Sequence, residues 1–292
     1  FEQFAPYLPQ DLPAGSQCYE WGFARVPGGF YHFSKHVHPM SDFSEPRQVD
    51  EFPFPHFDTV RFATLRPEVE AYHEQGLAVI ASMQMTIFEL SWYLRGLENL
   101  LTDMILNADL AAALLDRVTT IRCEMATAYS ALGIDVLSLG DDVGTQRGML
   151  MSPITWRQWL KPRLAQVIAS ARAIAPNILI EYHSDGAIEP IIRELIEIGV
   201  DVLNPVQPEC MDPAALKALY GHRLAFSGTI GTQTVMPFGT PEEVRQAVRW
   251  SIEIMGANGG LYISPTHILE PDVPWENVLA FFDAVDEFGV YT

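Results

Sequence analysis

The chain has 292 residues, of which 48% are hydrophobic, so it can bury a substantial core as one large domain or two small ones. Its 18 basic and 37 acidic residues leave a net charge of −19, which opposes binding to nucleic acid or to anionic membrane surfaces. Its three cysteines are too few for a disulfide framework and no apolar run approaches ~20 residues, so we expect a cytoplasmic protein without a membrane span.

Residues 1–76 are rich in both proline and aromatic residues. Proline fixes φ and lacks an amide hydrogen, which disfavours long helices and central strands. Aromatic side chains such as Trp21 and Phe23 favour burial over disorder. We therefore predict that this segment is irregular and wraps the domain that follows it, as a lid, with one or two strands near 17–25 and 29–33.

From residue 77 to residue 292 the pattern becomes apolar strand, polar exit and amphipathic helix, repeated. Strands are predicted at 77–83, 134–139, 178–183, 200–203, 224–227 and 260–263. Helices are predicted at 98–104, 110–132, 153–173, 187–198, 213–219, 241–255 and 274–288. This alternation is typical of a parallel α/β sheet, and periodicity does not distinguish an open sheet from a closed (β/α)8 barrel. The absence of GxGxxG and GxxxxGK[ST] motifs disfavours a nucleotide-binding open sheet.

Polar side chains gather at or near the ends of the predicted strands. They are Gln84, Asp141, Asp142, Glu181, His183, Asp185, Asn204, Gln207, Cys210 and His267. In a parallel barrel the carboxyl ends of the strands lie at one face, where catalytic groups are placed. The sequence therefore predicts one polar site at that face, with substrate-binding candidates at Gln84, Glu181, Asn204 and Gln207.

A metal site is one interpretation of this polar set. His183 and Asp185 form an H-x-D pair, and His267 supplies a second imidazole from the last strand exit. Two histidines and a carboxylate can hold zinc or iron with positions left open for substrate, and the candidate further ligands are Cys210, Asp142 and Glu181. The alternative is that His183 acts as a general acid or base and binds no metal.

Asp141 and Asp142 are consecutive carboxylates after a strongly apolar strand. If both are buried they cannot easily ionise together, which raises the pKa of one toward that of a useful proton donor. Alternatively, one faces the site and the other caps the loop or the following helix. The catalytic candidates are thus Asp141, Asp142, His183 and His267.

Four segments carry a family resemblance: GDDVGTQRGMLMSPITWRQWLKPRL, EYHSDGAIEPIIRELIEIGVDVLNPVQ, FSGTIGTQ and LYISPTHILEPDVPWENVLAFFDAV. In these segments the chain resembles the uroporphyrinogen decarboxylase superfamily, which also contains zinc- and corrinoid-dependent methyltransferases. The resemblance covers about residues 77–290. It implies a (β/α)8 TIM barrel with its site at the carboxyl ends of the strands.

Within that superfamily the methyltransferases are the more similar group. Their H-x-C histidine matches His183, Asp185 stands where their cysteine is, and His267 stands where their later zinc-ligand cysteine is. The resemblance thus implies a zinc site with carboxylate and imidazole in place of two thiolates, which makes the metal harder. The arginine-bearing W-M-R-Q-A-G-R segment of the decarboxylases has no match in residues 1–76, although their late histidine also matches His267.

From this resemblance we predict a methyltransferase. It would move a methyl group between a small methylated substrate, such as a methoxylated compound or a methylamine, and a corrinoid supplied by a partner protein. The alternative is a metal-free decarboxylase that acts on a small carboxylate or a tetrapyrrole, with Asp141 or Asp142 orienting the substrate and His267 handling the proton. A metal-dependent lyase or hydrolase and a non-catalytic binding barrel are further alternatives.

Overall fold

The computed structural model describes residues 2–30, 33–57 and 59–290. A 3₁₀ helix spans Glu2–Tyr7. The strands are β1 Gln17–Cys18, β2 Ala24–Phe30, β3 Phe33–Val37, β4 Ile80–Gln84, β5 Val136–Gly140, β6 Gly144–Thr145, β7 Gly148–Met149, β8 Leu179–His183, β9 Val202–Asn204, β10 Ala225–Ser227 and β11 Leu261–Tyr262. The helices are α1 Pro46–Glu51, α2 Thr59–Ala63, α3 Arg66–Glu74, α4 Phe88–Arg95, α5 Leu97–Leu106, α6 Ala108–Ala131, α7 Pro153–Trp159, α8 Lys161–Ile174, α9 Glu189–Ile198, α10 Pro213–Tyr220, α11 Val235–Phe238, α12 Pro241–Met255 and α13 Trp275–Phe288.

Every strand predicted after residue 76 is present, with ends that differ by a few residues. The single helix predicted at 153–173 is wrong, because the chain forms α7 and α8 with Leu160 between them. Pro162 lies in the first turn of α8, where its missing amide hydrogen suits a helix start and would interrupt a continuous helix.

Residues 1–76 contain more regular structure than predicted. Helices α1 and α3 each have a proline in the first turn, so here proline starts short helices. Strands β1, β2 and β3 form an antiparallel sheet in that order. The lid role of this segment and its boundary at residue 76 remain predictions.

The chain divides into two compact units, the first of which comprises residues 1–81, 85–135 and 157–178. Its core contains the long helix α6, which packs against α8 and buries residues at helical spacing, among them Leu110, Leu114 and Val118. Aromatic residues of the N-terminal segment are buried in the same unit, including Trp21 and Phe23.

A buried ion pair fixes the N-terminal segment within the first unit. Arg95 Nε donates to Asp103 Oδ2 at 2.7 Å, and its Nη1 donates to the carbonyl oxygens of Met40 and Ser41 at 2.6 and 2.5 Å. Because both charged partners are buried, removal of either would leave an uncompensated charge in the interior.

The second unit comprises residues 82–84, 136–156 and 179–292 and contains most of the parallel sheet. The sheet order is β11-β10-β9-β8-β5-β4, so each strand lies beside the next one of this sheet along the chain. Ile180 and Tyr182 of β8 are buried on one face, which places Glu181 and His183 on the other. Parallel strands separated by helices confirm the predicted α/β class.

Helices α12 and α13 pack together in the second unit around a cluster that includes Val244, Val248 and Phe281. Their apolar faces give this end of the chain its own core.

Among the described residues, no helix is both long enough and apolar enough to span a bilayer.

Candidate active site at the strand ends

A row of hydrogen bonds crosses three neighbouring strands of the second unit, and we call it the upper row: His183 on β8, Asn204 on β9 and Ser227 on β10. His183 lies opposite Asn204 in the strand register, and the His183 Nδ1 to Asn204 Oδ1 distance is 2.6 Å. The Asn204 amide nitrogen donates to Ser227 Oγ at 2.9 Å, which directs its oxygen toward the imidazole. An amide oxygen only accepts, so Nδ1 is the donor in this bond, and in the neutral imidazole the lone pair then lies on Nε2.

Two carboxylates face that lone pair. Asp142 Oδ1 lies 3.7 Å from His183 Nε2, and Asp185 Oδ1 lies 3.8 Å from the same atom. The Asp185 backbone amide donates to Asp142 Oδ1 at 2.8 Å, which couples the loops after β5 and β8. Candidate ligand atoms of Asp142, His183 and Asp185 all lie within 4.8 Å of one another. We call these three residues the acidic trio.

The chemistry of the acidic trio fits a divalent cation. Asp185 Oδ1 is buried and has no hydrogen-bond partner among the described residues. Burial raises the pKa of the Asp185 carboxyl, the charge of Asp142 raises it further, and His183 and His267 oppose that shift. A cation placed among one imidazole nitrogen and two carboxylates would satisfy the orphaned oxygen and remove the repulsion between the acids.

His267 lies at the edge of this arrangement. Its Nε2 is 3.9 Å from Asp185 Oδ2, its ring centroid is 6.4 Å from that of His183, and its side chain is 45% exposed. The structure therefore brings Asp142 close to both His183 and Asp185, while the imidazole of His267 lies near Asp185 and its ring near that of His183. The sequence prediction gave Asp142 as a catalytic candidate and as a possible further ligand, beside the main set of His183, Asp185 and His267.

A second row of hydrogen bonds lies on the same face of the sheet, two residues before His183 along β8, and we call it the lower row. It consists of Gln84 on β4, Ser138 on β5 and Glu181 on β8. Gln84 Nε2 donates to Ser138 Oγ at 3.0 Å, and Ser138 Oγ donates to Glu181 Oε2 at 2.6 Å. On β5, Gly140 lies two residues after Ser138 and opposite His183 in the strand register. A Cβ at Gly140 would lie 1.8 Å from Gln84 Oε1. The glycine thus leaves room for the glutamine side chain.

A family model described as Uroporphyrinogen decarboxylase (URO-D) matches residues 24–288. The chain belongs to this family. The match begins well upstream of residue 77, so the family likeness extends into the N-terminal segment.

This URO-D family chain is 28% identical over 181 residues to methylcobamide:CoM methyltransferase MtaA of Methanosarcina barkeri. The alignment covers 62% of this chain and 50% of that protein, so the chain spans about half the length of the curated relative it matches. It is also similar to a solved methyltransferase from Methanosarcina mazei, with a TM-score of 0.70 at 21% identity over 93% of this chain and 77% of that one. This likeness in fold, together with the parallel strand order, confirms the predicted TIM-barrel class.

Two other predicted site residues of the URO-D family chain support its loops. Gln207 is buried, and its Oε1 accepts from the Gly186 amide at 2.7 Å and from the Cys210 thiol at 3.5 Å. Burial raises the pKa of the Cys210 thiol, and the charges of Glu209 and Asp185 raise it further. The Cys210 thiol also donates to the side-chain oxygen of Gln146 at 3.1 Å, and Cys210 is not one of the acidic trio; its role as a further ligand stays a prediction.

The adjacent pair Asp141 and Asp142 divides its roles. Asp141 is buried; its backbone amide donates to the His183 carbonyl at 3.0 Å, and its carbonyl accepts from Tyr182 Oη at 3.3 Å. Asp142 instead reaches the acidic trio. Of the two carboxylates, that of Asp142 is the one placed among the candidate ligands, and a catalytic role for Asp141 stays a prediction.

Sequence reasoning missed Ser138, which belongs to the lower row, and Ser227, which belongs to the upper row on the face of the sheet that carries His183. The alternation of strand residues was the available signal, because each serine lies on the same face as its hydrogen-bonded neighbour. Both serines are small and buried, which also suits ordinary core packing.

Proposed function

We propose that this chain is a methyltransferase that moves a methyl group between a small methylated substrate and a corrinoid carried by a partner protein, at a zinc held by Asp142, His183 and Asp185. One observation carries the metal assignment: Asp185 Oδ1 is buried without a partner among the described residues, 3.8 Å from His183 Nε2. The likeness to a methylcobamide:CoM methyltransferase supports the reaction type.

When bound, zinc supplies a Lewis acid that polarises the heteroatom carrying the methyl group. The chain's own residues then have separate tasks. Asn204 holds the His183 ring with Nε2 toward the two carboxylates, and the Asp185 amide holds Asp142 in place. His267 is half exposed beside Asp185, so its Nε2 can deliver a proton to a leaving oxygen when the substrate is an ether.

A decarboxylase acting on a small carboxylate is the alternative. Its anionic substrate would lie beside Asp142, Asp185 and Glu181. Within the described ranges, none of these three carboxylates forms an ion pair with a lysine or arginine. The charge of the site therefore favours a neutral or cationic substrate, as the methyltransferase assignment requires.

Metal binding tests the proposal first. Zinc content of untagged full-length protein would be measured by elemental analysis, and zinc affinity by competition with a chelator. We expect about one zinc per chain, and an affinity at least about 100-fold lower in Asp142→Asn, His183→Ala and Asp185→Asn, since loss of supporting residues alone costs 10–100-fold. His222→Ala, at an exposed histidine of the same unit, is the matched control.

The same titration decides the third ligand. A larger loss in Asp142→Asn than in His267→Ala supports the acidic trio, and the reverse order would restore the ligand set implied by the resemblance. Wild-type protein that takes up no zinc after reconstitution would overturn the metal assignment.

A second experiment tests the reaction. Methyl transfer would be assayed with zinc-loaded protein, reduced cobalamin and methylated amines or ethers. Release of carbon dioxide from a carboxylate with no change in the cobalamin spectrum would support the decarboxylase instead.

A further inference from the structure

Two segments of the second unit carry the carboxylates of the acidic trio and run side by side. Residues 142–145 lead from Asp142 into the hairpin of β6 and β7, and residues 184–187 follow His183 and contain Asp185. The backbone amide of Asp185 donates to Asp142 Oδ1 at 2.8 Å, so the contact between the segments begins at the trio itself. We call this line of contact the loop seam.

Two further hydrogen bonds hold the loop seam closed. The Val143 amide donates to Ser184 Oγ at 3.1 Å, and the Ala187 amide donates to the Thr145 carbonyl oxygen at 2.9 Å. Val143 and Ser184 are both fully buried. A buried amide that loses its acceptor is costly, so these bonds resist opening of the seam.

Two glycines allow the backbones of the segments to touch. A Cβ at Gly144 would lie 2.4 Å from the carbonyl oxygen of Asp185, and a Cβ at Gly186 would lie 2.6 Å from both the amide nitrogen and the carbonyl oxygen of Thr145. An ordinary contact of a Cβ is 3.4 Å or longer, and all three of these atoms belong to the backbone. A side chain at either glycine would therefore push the two segments apart by up to about 1 Å.

The loop seam lies across one of the short distances within the acidic trio. Asp142 Oδ1 is on one side of it and His183 Nε2 on the other, 3.7 Å apart. Because zinc bonds to nitrogen and oxygen are about 2.0–2.2 Å long, two atoms that bind one zinc ion can be no more than about 4.4 Å apart. An opening of about 1 Å would exceed this limit for zinc, whereas a larger cation such as Cd²⁺ makes longer bonds and would lose less affinity.

We propose that the loop seam sets the width of the acidic trio, and that the contacts of Gly144 and Gly186 make the site selective for a small divalent cation. This inference rests on the proposed function, because it concerns the cation assigned to the trio, and it names what restricts the choice of that cation. Gly144 and Gly186 are positioning residues, since they act through the placement of Asp142 and Asp185.

Gly186→Ala tests this selectivity, with Gly259→Ala as its matched control. The φ angles are +82° at Gly186 and +83° at Gly259, so alanine has the same left-handed cost at both positions. No heavy atom of the described residues lies within 4 Å of a Cβ at Gly259, which is also in the second unit. The pair therefore separates displacement of the seam from backbone strain.

Zinc and Cd²⁺ affinities would be measured by competition with a chelator, on untagged full-length protein. Relative to Gly259→Ala, we expect zinc affinity to be at least about tenfold lower in Gly186→Ala, and Cd²⁺ affinity to be lowered by a smaller factor. General destabilisation of the fold would instead lower both affinities alike. The ratio of the two affinities is thus a readout that a purely structural role would not change.

Two further variants open the seam in other ways. Gly144→Ala places a Cβ against Asp185 from the hairpin side, at a backbone conformation outside the left-handed region. Ser184→Ala adds no atom and removes the acceptor of the Val143 amide. We expect both variants to lower zinc affinity more than Cd²⁺ affinity.

The outcomes separate this inference from the proposed function. A ratio of zinc to Cd²⁺ affinity that is the same in Gly186→Ala, Gly259→Ala and wild type would overturn the inference and leave the metal assignment intact. A ratio that falls only when the seam is opened supports the inference. If circular dichroism shows that Gly186→Ala is unfolded, the ratio in Ser184→Ala decides in the same way. Failure of wild-type protein to bind zinc would instead overturn the metal assignment.

Discussion

Substitution of Asn204 tests how the upper row prepares His183 for a metal. The 2.6 Å contact from His183 Nδ1 to Asn204 Oδ1 fixes both the ring orientation and the nitrogen that carries the proton. Loss of such a supporting partner typically lowers metal affinity 10–100-fold, or by about 1.4–2.7 kcal/mol. We expect Asn204→Leu to lower zinc affinity by this amount, because leucine keeps the volume and removes the acceptor.

Asn204→Asp is the matched rescue variant, since its carboxylate still accepts from Nδ1 and can accept from the Ser227 hydroxyl. Zinc affinity would be measured by calorimetry with a competing chelator, alongside melting temperatures without metal. Zinc affinity in Asn204→Leu equal to wild type, or equal losses in the leucine and aspartate variants, would refute the argument that this hydrogen bond prepares the imidazole.

Three further predictions concern neighbouring positions. Gly140→Ala should lower the free energy of unfolding by about 1–3 kcal/mol, because its Cβ would lie 1.8 Å from Gln84 Oε1; Gln84→Ala in the same chain should recover part of that loss in chemical denaturation. The pKa of the Asp185 carboxyl is raised in the folded protein. Its ionisation therefore lowers the free energy of unfolding as pH rises from the ordinary carboxyl pKa near 3.9 to the raised pKa of the folded state. Without metal, Asp185→Asn should therefore melt above wild type at neutral pH and equal it below about pH 4, whereas saturating zinc should reverse the order. Cys210, whose pKa is raised by burial and nearby carboxylates, should react with iodoacetamide more slowly than a free thiol, and faster in Asp185→Asn.

Each of these three predictions would be contradicted by a specific experimental result. A Gly140→Ala protein as stable as wild type would mean that the glutamine side chain moves aside at no cost. A metal-free Asp185→Asn protein that melts below wild type at pH 7 would mean that the carboxylate is stabilised in the fold. Alkylation of Cys210 at the rate of a free thiol would mean that its surroundings do not protect it.

Most of the strands and helices after residue 76 could be predicted because their burial is periodic; the short elements α4, α11, β6 and β7 were missed. The strand β8 is an example: Ile180 and Tyr182 alternate with Glu181 and His183 in the sequence and on the sheet. Proline was harder to interpret. At Pro162 it divides two helices, and in α1 and α3 it begins helices within a segment predicted to be irregular.

The membership of the site was only partly predictable. His183 and Asp185 follow one strand, so their proximity to each other is local. The approach of Asp142 depends on a backbone hydrogen bond from Asp185 across two loops, which no spacing in the sequence indicates. The partnership of Ser138 with Glu181 depends on the register of β5 against β8, which is set by the assembled sheet.

The one-way order of the lower row has a consequence for its evolution. Ser138 donates its single proton to Glu181, so its bond with Gln84 has to use a proton of the Gln84 amide. A lineage that replaced the carboxylate by a neutral donor would reverse the order of protons and leave the old neighbours mismatched. Among relatives, positions 84, 138 and 181 should therefore vary together.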